Sequence, residues 1–256
     1  MKRAVTPLLL ALSLLTTLPV GRWLPARIRP LDQGRSVVCY PLVGLLIGAV
    51  LVAAGALLRE APPLLAAALL VAVWAGVTGA LHLDGLADCV DGWFAGHSDA
   101  TRTLTVMKDP AAGPAAVVAL VVVLLAKFAA LAALLGRGVS SVGVLLAVPM
   151  LARTAAAALM AVTVYRRADG IARDQAATRP RGAIVMGTIA AALVAVCLLP
   201  IGLWGLLVVL TAAIGYGWRR IWQRRIGGYT GDVAGALIEL TETAALVAAA
   251  WNLSWS

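Results

Sequence analysis

Apolar residues run along this chain in long blocks, not in the alternation of a half-buried strand. Blocks at about 37–58, 62–82, 113–135, 139–165, 183–200, 201–217 and 233–252 each approach the length at which a helix crosses hydrocarbon, roughly 20 residues. Only helices and closed barrels satisfy their backbone inside lipid. The pattern therefore predicts an all-α integral membrane protein: a single polytopic domain over residues 1–256, with a bundle of about seven transmembrane helices. The stretch from Pro7 to Val20 is apolar but short. It is expected to form a short interfacial helix, which keeps Lys2 and Arg3 on the side of the other basic segments. It ends Leu18-Pro19-Val20-Gly21-Arg22, without a small-x-small cleavage pattern, so it is expected to stay in the mature chain.

The polar breaks between blocks fix an orientation. With 37–58 starting in the cytoplasm, the segments 21–36, 83–112, 166–182 and 218–232 are cytoplasmic and hold fifteen basic residues. The opposite side holds only Arg59 and Arg137. That asymmetry is the positive-inside signature of an integral membrane protein, and a bacterial cytoplasmic (inner) membrane is the expected location. Composition agrees, since 62% of residues are hydrophobic and 13% charged, more apolar surface than one soluble core can hide. The net charge of +9 belongs to these loops, so no nucleic-acid partner is expected; the lipid bilayer is the expected surroundings. Cys39, Cys89 and Cys197 lie far apart with no metal-ligand spacing, and read as packing residues. A homo-oligomer is compatible with the sequence but not specified by it.

Chemistry concentrates in His82-Leu83-Asp84-Gly85-Leu86-Ala87-Asp88-Cys89-Val90-Asp91-Gly92, where three of the chain's twelve acids fall within eight residues. Offsets of four and seven put Asp84, Asp88 and Asp91 on one face of a helix. Like charges so close need a cation. Carboxylates suit hard divalent metals, and magnesium commonly takes one or two of them plus phosphate oxygens. The same acids also suit a plain solvated loop, but Leu86, Ala87 and Val90 among them, with no Lys or Arg alternating, do not. His82 is a candidate base, ligand or boundary residue.

Two further segments can complete a phosphate site. In Met107-Lys108-Asp109-Pro110-Ala111-Ala112-Gly113, Lys108 is either a phosphate partner or an interfacial lysine. In Gly227-Gly228-Tyr229-Thr230-Gly231-Asp232, glycines ahead of a helix let backbone N–H groups approach an anion. Glu239 and Glu242 follow on the Asp232 side of that helix. They lie inside an apolar block, as Lys127 and Arg153 do in two others. Intramembrane ionisable groups face a bundle interior or cavity, and either ion pairing or direct chemistry accounts for these four.

These residues carry a resemblance over nearly the whole chain. Thr78-Gly79-Ala80-Leu81-His82-Leu83-Asp84-Gly85-Leu86-Ala87-Asp88, Asp91-Gly92, Met107-Lys108-Asp109, Gly113, Gly228, Thr230-Gly231-Asp232, Glu239 and Glu242 resemble the cobalamin synthase family, adenosylcobinamide-GDP ribazoletransferase. Pro41-Leu42-Val43-Gly44 fits as well. Cys89 and Pro110-Ala111-Ala112 depart from the family pattern.

The resemblance implies a magnesium-dependent phosphotransferase. It joins adenosylcobinamide-GDP to α-ribazole or its 5′-phosphate and releases GMP, forming adenosylcobalamin or its phosphate. It further implies Asp84, Asp88, Asp91 and His82 as catalytic residues, the three aspartates as metal ligands, and Lys108, Asp109, Gly231, Asp232, Glu239 and Glu242 as substrate-binding residues. The site is then expected to face the cytoplasm, with Asp91 or His82 accepting a proton. The acidic spacing is also similar to CDP-alcohol phosphotransferases, but their Asp-Gly-x-x-Ala-Arg is absent, since Asp88 follows Ala87. A secondary transporter is the other alternative, with the four intramembrane charges lining its path.

Overall fold

The computed structural model describes residues 2–96, 99–136, 141–167 and 171–252. Arg137, residues 139–140 at the head of the fourth predicted block, and Ser256 lie outside the described residues. Two helices, α1 (Lys2–Leu15) and α2 (Pro30–Ser36), lead into α3 (Tyr40–Leu57). Next come α4 (Pro63–Thr78), α5 (Leu81–Ala95) and the short α6 (Ala100–Val106). The long α7 (Pro114–Gly136) and α8 (Val142–Val162) precede a short α9 (Ile171–Thr178). The chain finishes with α10 (Arg181–Leu198), α11 (Ile201–Ile226) and α12 (Gly231–Asn252). Among the described residues six stretches are long and apolar enough to cross a membrane, and α4 with α5 makes a seventh if that bent pair is one span. The expected all-α membrane bundle is the fold.

Its centre is formed by α8 and α12. About 78% and 67% of their apolar windows are buried inside the protein, against 39% or less for the other straight spans, so the latter present most of their surface to lipid. Close packing onto α8 depends on small residues. A Cβ added at Gly48 of α3 would fall 2.5 Å from the Leu145 carbonyl oxygen, and Gly44 meets the Pro149 backbone in the same way.

The second predicted block, 62–82, ends earlier than expected. Gly79 and Ala80 both take left-handed backbone angles, φ 62° and 55°, and the axis turns by 85° into α5. Glycine enters that region freely, whereas alanine is strained there. The turn is held from the segment after α1: the Thr17 amide donates to the Val77 carbonyl at 2.8 Å and its hydroxyl to Gly76 at 3.0 Å. Carbonyls left open at the end of α4 are satisfied that way. The segment 83–112, expected as a loop, is therefore largely α5 and α6. Likewise α11 runs past residue 217 to Ile226, because Trp218 and Trp222 stack edge to face and Trp222 stays buried against α5.

α1 is too short to span, as expected, yet Leu10, Ala11, Leu12 and Leu15 are buried against the bundle. The basic segments gather at one end. Arg225 donates to the Trp93 carbonyl, Arg167 to Met107, Arg219 to the Thr163 hydroxyl, and the Thr178 hydroxyl to Pro30.

Candidate active site

α5 and the start of α12 touch backbone to backbone. A Cβ at Gly85 would lie 2.8 Å from the Asp232 carbonyl oxygen, and one at Gly235 would lie 3.5 Å from the His82 Cα. That contact brings the acidic segment and the glycine-rich turn, about 140 residues apart in sequence, to the same place. Asp88 lies within electrostatic range of Asp232, Asp84 and Asp91, with Arg167 the one opposing charge acting on it. Arg167 holds Asp232 at 2.6 Å through Asp232 Oδ2. The Thr230 hydroxyl donates to the same oxygen at 3.2 Å, and accepts the Val233 amide as the helix cap.

The glycine-rich turn is explained differently from a phosphate cradle. Gly227 ends α11 in a left-handed conformation, φ 75°. Gly228 presses on the Val164 carbonyl, where a Cβ has no room. There Tyr165 and Tyr229 form a parallel β-bridge, the Arg166 amide donating to Tyr229 and the Tyr229 amide to Val164, both at 2.9 Å. Gly231 alone stands in open space and lines a cavity.

That cavity, about 260 Å³, has Asp84, Gly231, Asp232 and Arg167 on its wall, with His82 and three tyrosines. Asp84 and Gly231 are exposed at its mouth, while Tyr40, Gln175 and Tyr229 are buried. Asp91 points elsewhere: its Oδ2 accepts the Gly113 amide at 2.7 Å, and a Cβ at Gly113 would collide with the carboxylate at 2.6 Å. This explains Gly113 in the motif. Lys108 and Asp109 do not reach the cavity. They lie exposed on the turn after α6, where Asp109 Oδ1 accepts the Ala111 amide at 3.0 Å and so shapes the turn.

Glu239 and Glu242 also turn away from the cavity wall. Lys127 of α7 bonds both, reaching Glu242 at 2.8 Å, and Arg153 of α8 bonds Glu242. Trp74 of α4 donates to Glu242 at 3.2 Å and offers its ring face to Lys127 at 4.7 Å. All four charged groups are buried, two of each sign. The arrangement is a neutral intramembrane tetrad tying α4, α7, α8 and α12, and not an ion path. His82 joins it, since Arg153 can only donate and faces His82 Nδ1 at 3.4 Å. The imidazole hydrogen then belongs on Nε2, which is buried with no protein partner.

Residues 7–250 match the cobalamin-5-phosphate synthase family. The chain belongs to that family. An adenosylcobinamide-GDP ribazoletransferase of Pseudomonas paraeruginosa is 50% identical over 253 residues, covering 98% of this chain and 100% of the relative. Proteins of the same name from Pseudomonas aeruginosa and Stutzerimonas stutzeri are each 49% identical, covering 98% and 94% of this chain and 100% and 96% of their own length. No solved structure matches the chain. The pieces that carry the resemblance to the cobalamin-5-phosphate synthase family therefore sort by place. Asp84, Gly231 and Asp232 share the cavity wall, Asp88 lies off it but within the electrostatic reach of Asp232 and Asp84, Asp91 and Gly113 clasp each other, and Glu239 and Glu242 lie behind in the tetrad. Sequence reasoning counted Arg167 only as a loop charge, and passed over Tyr40, Tyr165 and Gln175. A lone arginine after Arg166 gives no cue that it will face Asp232.

Proposed function

We propose that this chain transfers the cobinamide phosphate of adenosylcobinamide-GDP to α-ribazole or its 5′-phosphate, releasing GMP. The observation that carries the reading is the 50% identity, end to end, to a relative bearing that activity in its name. We place the reaction at the cytoplasmic face of a bacterial inner membrane, on the asymmetry of the basic segments.

The donor set fits magnesium. Among the described residues no three acidic, histidine or cysteine side chains form a ready-made metal group, and we assign the ion to a pair of carboxylates in place of all three aspartates, Asp84, Asp88 and Asp91. Their spacing along a helix spreads them over about 10 Å. Asp232 is instead the neighbour acting most strongly on Asp88, and its Oδ1 is clear of both Arg167 and Thr230. Two carboxylates with substrate phosphates completing the shell is the usual magnesium arrangement. Asp88 and Asp232 would hold the ion, which when bound neutralises charge on the pyrophosphate.

The protein's own part is positioning and charge. A ribose hydroxyl oxygen bonds to the phosphorus on the cobinamide side while the bond from that phosphorus to the GMP oxygen breaks. Asp84, at the cavity mouth, takes the hydroxyl proton. Arg167 faces the phosphates, and its position is set by Asp232 and the Met107 carbonyl. His82 is a hydrogen-bond donor here and not the base, because Arg153 occupies Nδ1.

The test is mass spectrometry after incubating purified protein with adenosylcobinamide-GDP, α-ribazole phosphate and magnesium. Stoichiometric GMP and cobalamin phosphate support the reading. Full activity on a CDP-alcohol with CMP release, and none on these substrates, would sink it.

A further inference from the structure

The deep end of the cavity is built unlike its mouth. Tyr40, Tyr165 and Tyr229 line it together with Gln175, and the remaining wall is largely aliphatic, including Leu15 and Met160. Tyr165 and Tyr229 meet edge to face, centroids 5.4 Å apart at 65°. Gln175 is held between the Tyr40 hydroxyl at 3.2 Å and the Ser36 hydroxyl at 2.9 Å, so its amide is already engaged. Tyr229 is wholly buried, and its hydroxyl has no hydrogen-bond partner. A buried hydroxyl left unpaired is destabilising, and such a group calls for an explanation.

We propose that this aromatic end is the binding subsite for the heteroaromatic base of α-ribazole, with the Tyr229 hydroxyl donating to the base's free ring nitrogen. The inference rests on the reaction proposed above and names which of its two nucleosides occupies the cavity. The volume is below the roughly 300–1,000 Å³ of drug-sized sites, which suits one small nucleoside and leaves the corrin of the other substrate outside, with only its pyrophosphate reaching the mouth. Chemistry separates the two bases. Guanine carries N1–H and N2–H₂ donors and an O6 acceptor on its edge, which this aliphatic wall would strand without partners. The dimethylbenzimidazole of α-ribazole has a methylated apolar edge and, with its other nitrogen bonded to the ribose, a single acceptor nitrogen. Rings of this kind stack on or against tyrosine faces, and one donor is all the base requires. The ribose then lies toward the mouth, where Asp84 and Asp232 are. Burial pushes the Tyr229 phenol up, so it remains a donor at any working pH.

The experiment compares wild type and Tyr229→Phe in detergent, by steady-state kinetics and by calorimetric titration of α-ribazole without metal. Two nucleosides are used, α-ribazole and its indole counterpart, in which the acceptor nitrogen is a carbon. Loss of a neutral hydrogen bond should weaken α-ribazole about three- to tenfold, in both KM and calorimetric Kd, with the KM for adenosylcobinamide-GDP unmoved. Wild type should prefer α-ribazole to the indole analogue by a similar factor, and Tyr229→Phe should lose that preference. A merely structural role for Tyr229 would move both nucleosides equally, which overturns the proposal. Wild-type turnover with an unchanged α-ribazole KM in Tyr229→Phe overturns it too, while leaving the parent reaction intact. No product from wild type would instead overturn the parent reaction and this subsite together.

Discussion

Gly85 of α5 and Asp232 of α12 sit so close that a methyl group at Gly85 would fall 2.8 Å from the Asp232 carbonyl oxygen and 3.1 Å from its Cα. Both obstacles are backbone, so neither can swing aside. Gly85→Ala must push the two helices apart, and with them Asp88 from Asp232. Overpacking of this kind costs about 1–3 kcal/mol. Displacement of a site by about 1 Å can cost about a hundredfold in rate. The protein should therefore still fold while turnover drops about a hundredfold. Parallel thermal unfolding and GMP-release assays check this; wild-type activity in Gly85→Ala would show that the contact does not set the site.

Asp88→Asn and Asp232→Asn should each reduce turnover by about a hundredfold or more, since electrostatic help of several kcal/mol from a bound ion is at stake. Both should raise the magnesium concentration needed for half-maximal rate. Stability should hold for Asp88→Asn, because a carboxylate crowded by three others is removed. Asp91→Asn retains an oxygen for the Gly113 amide and should be milder. Magnesium titrations of the three variants decide the assignment, and an order with Asp91→Asn the worst would return the ion to the Asp91 end of α5.

The tetrad predicts a failure of folding instead of chemistry. Glu242→Gln removes the charge that Arg153 and Lys127 share. Breaking a buried pair by one partner costs about 3–5 kcal/mol, so the variant should show poor membrane yield and early thermal unfolding in detergent. Replacing Glu242 and Arg153 together by Gln and Met should recover part of that loss. A stable Glu242→Gln protein with weakened substrate binding would make Glu242 a substrate ligand after all.

Orientation is checked by labelling. In a background lacking Cys39, Cys89 and Cys197, single cysteines at exposed Asp99 and Arg173 should react only after the membrane is opened to its cytoplasmic face. Reaction from outside in intact cells would invert the topology.

Much of this bundle was legible because lipid imposes a coarse rule, a long apolar block for each span. The rule fails where the chain bends. Nothing in Thr78-Gly79-Ala80 marks an 85° turn, because the end of α4 is held by Thr17, a remote residue just past α1 that bonds the Gly76 and Val77 carbonyls. The site was half legible for a similar reason. Asp84, Asp88 and Asp91 announce themselves through local spacing, but the partners that divide them are remote: Asp232 near Asp88 and the Gly113 amide at Asp91. Glu239 and Glu242 were visible as buried charges, while their pairing with Lys127 and Arg153 depended on how four helices face one another. Gly228 read as an anion-binding glycine because close backbone approach looks the same in sequence whether it meets a phosphate or the Val164 carbonyl.

The tetrad also sets an order for biogenesis. Lys127 and Arg153 enter the bilayer on α7 and α8, but the glutamates that neutralise them arrive only on the last helix, Glu242 being 89 residues after Arg153. At roughly 5–20 residues per second the ribosome leaves Arg153 unmatched for about 4–18 s, and the earlier Lys127 for longer still, each carrying an insertion penalty of about 2.5–3.5 kcal/mol. Until α12 emerges the nascent chain is an incomplete, positively charged bundle, exposed to quality control. Arrival of the C-terminal helix then discharges that intermediate and locks the helices on which the reaction site stands.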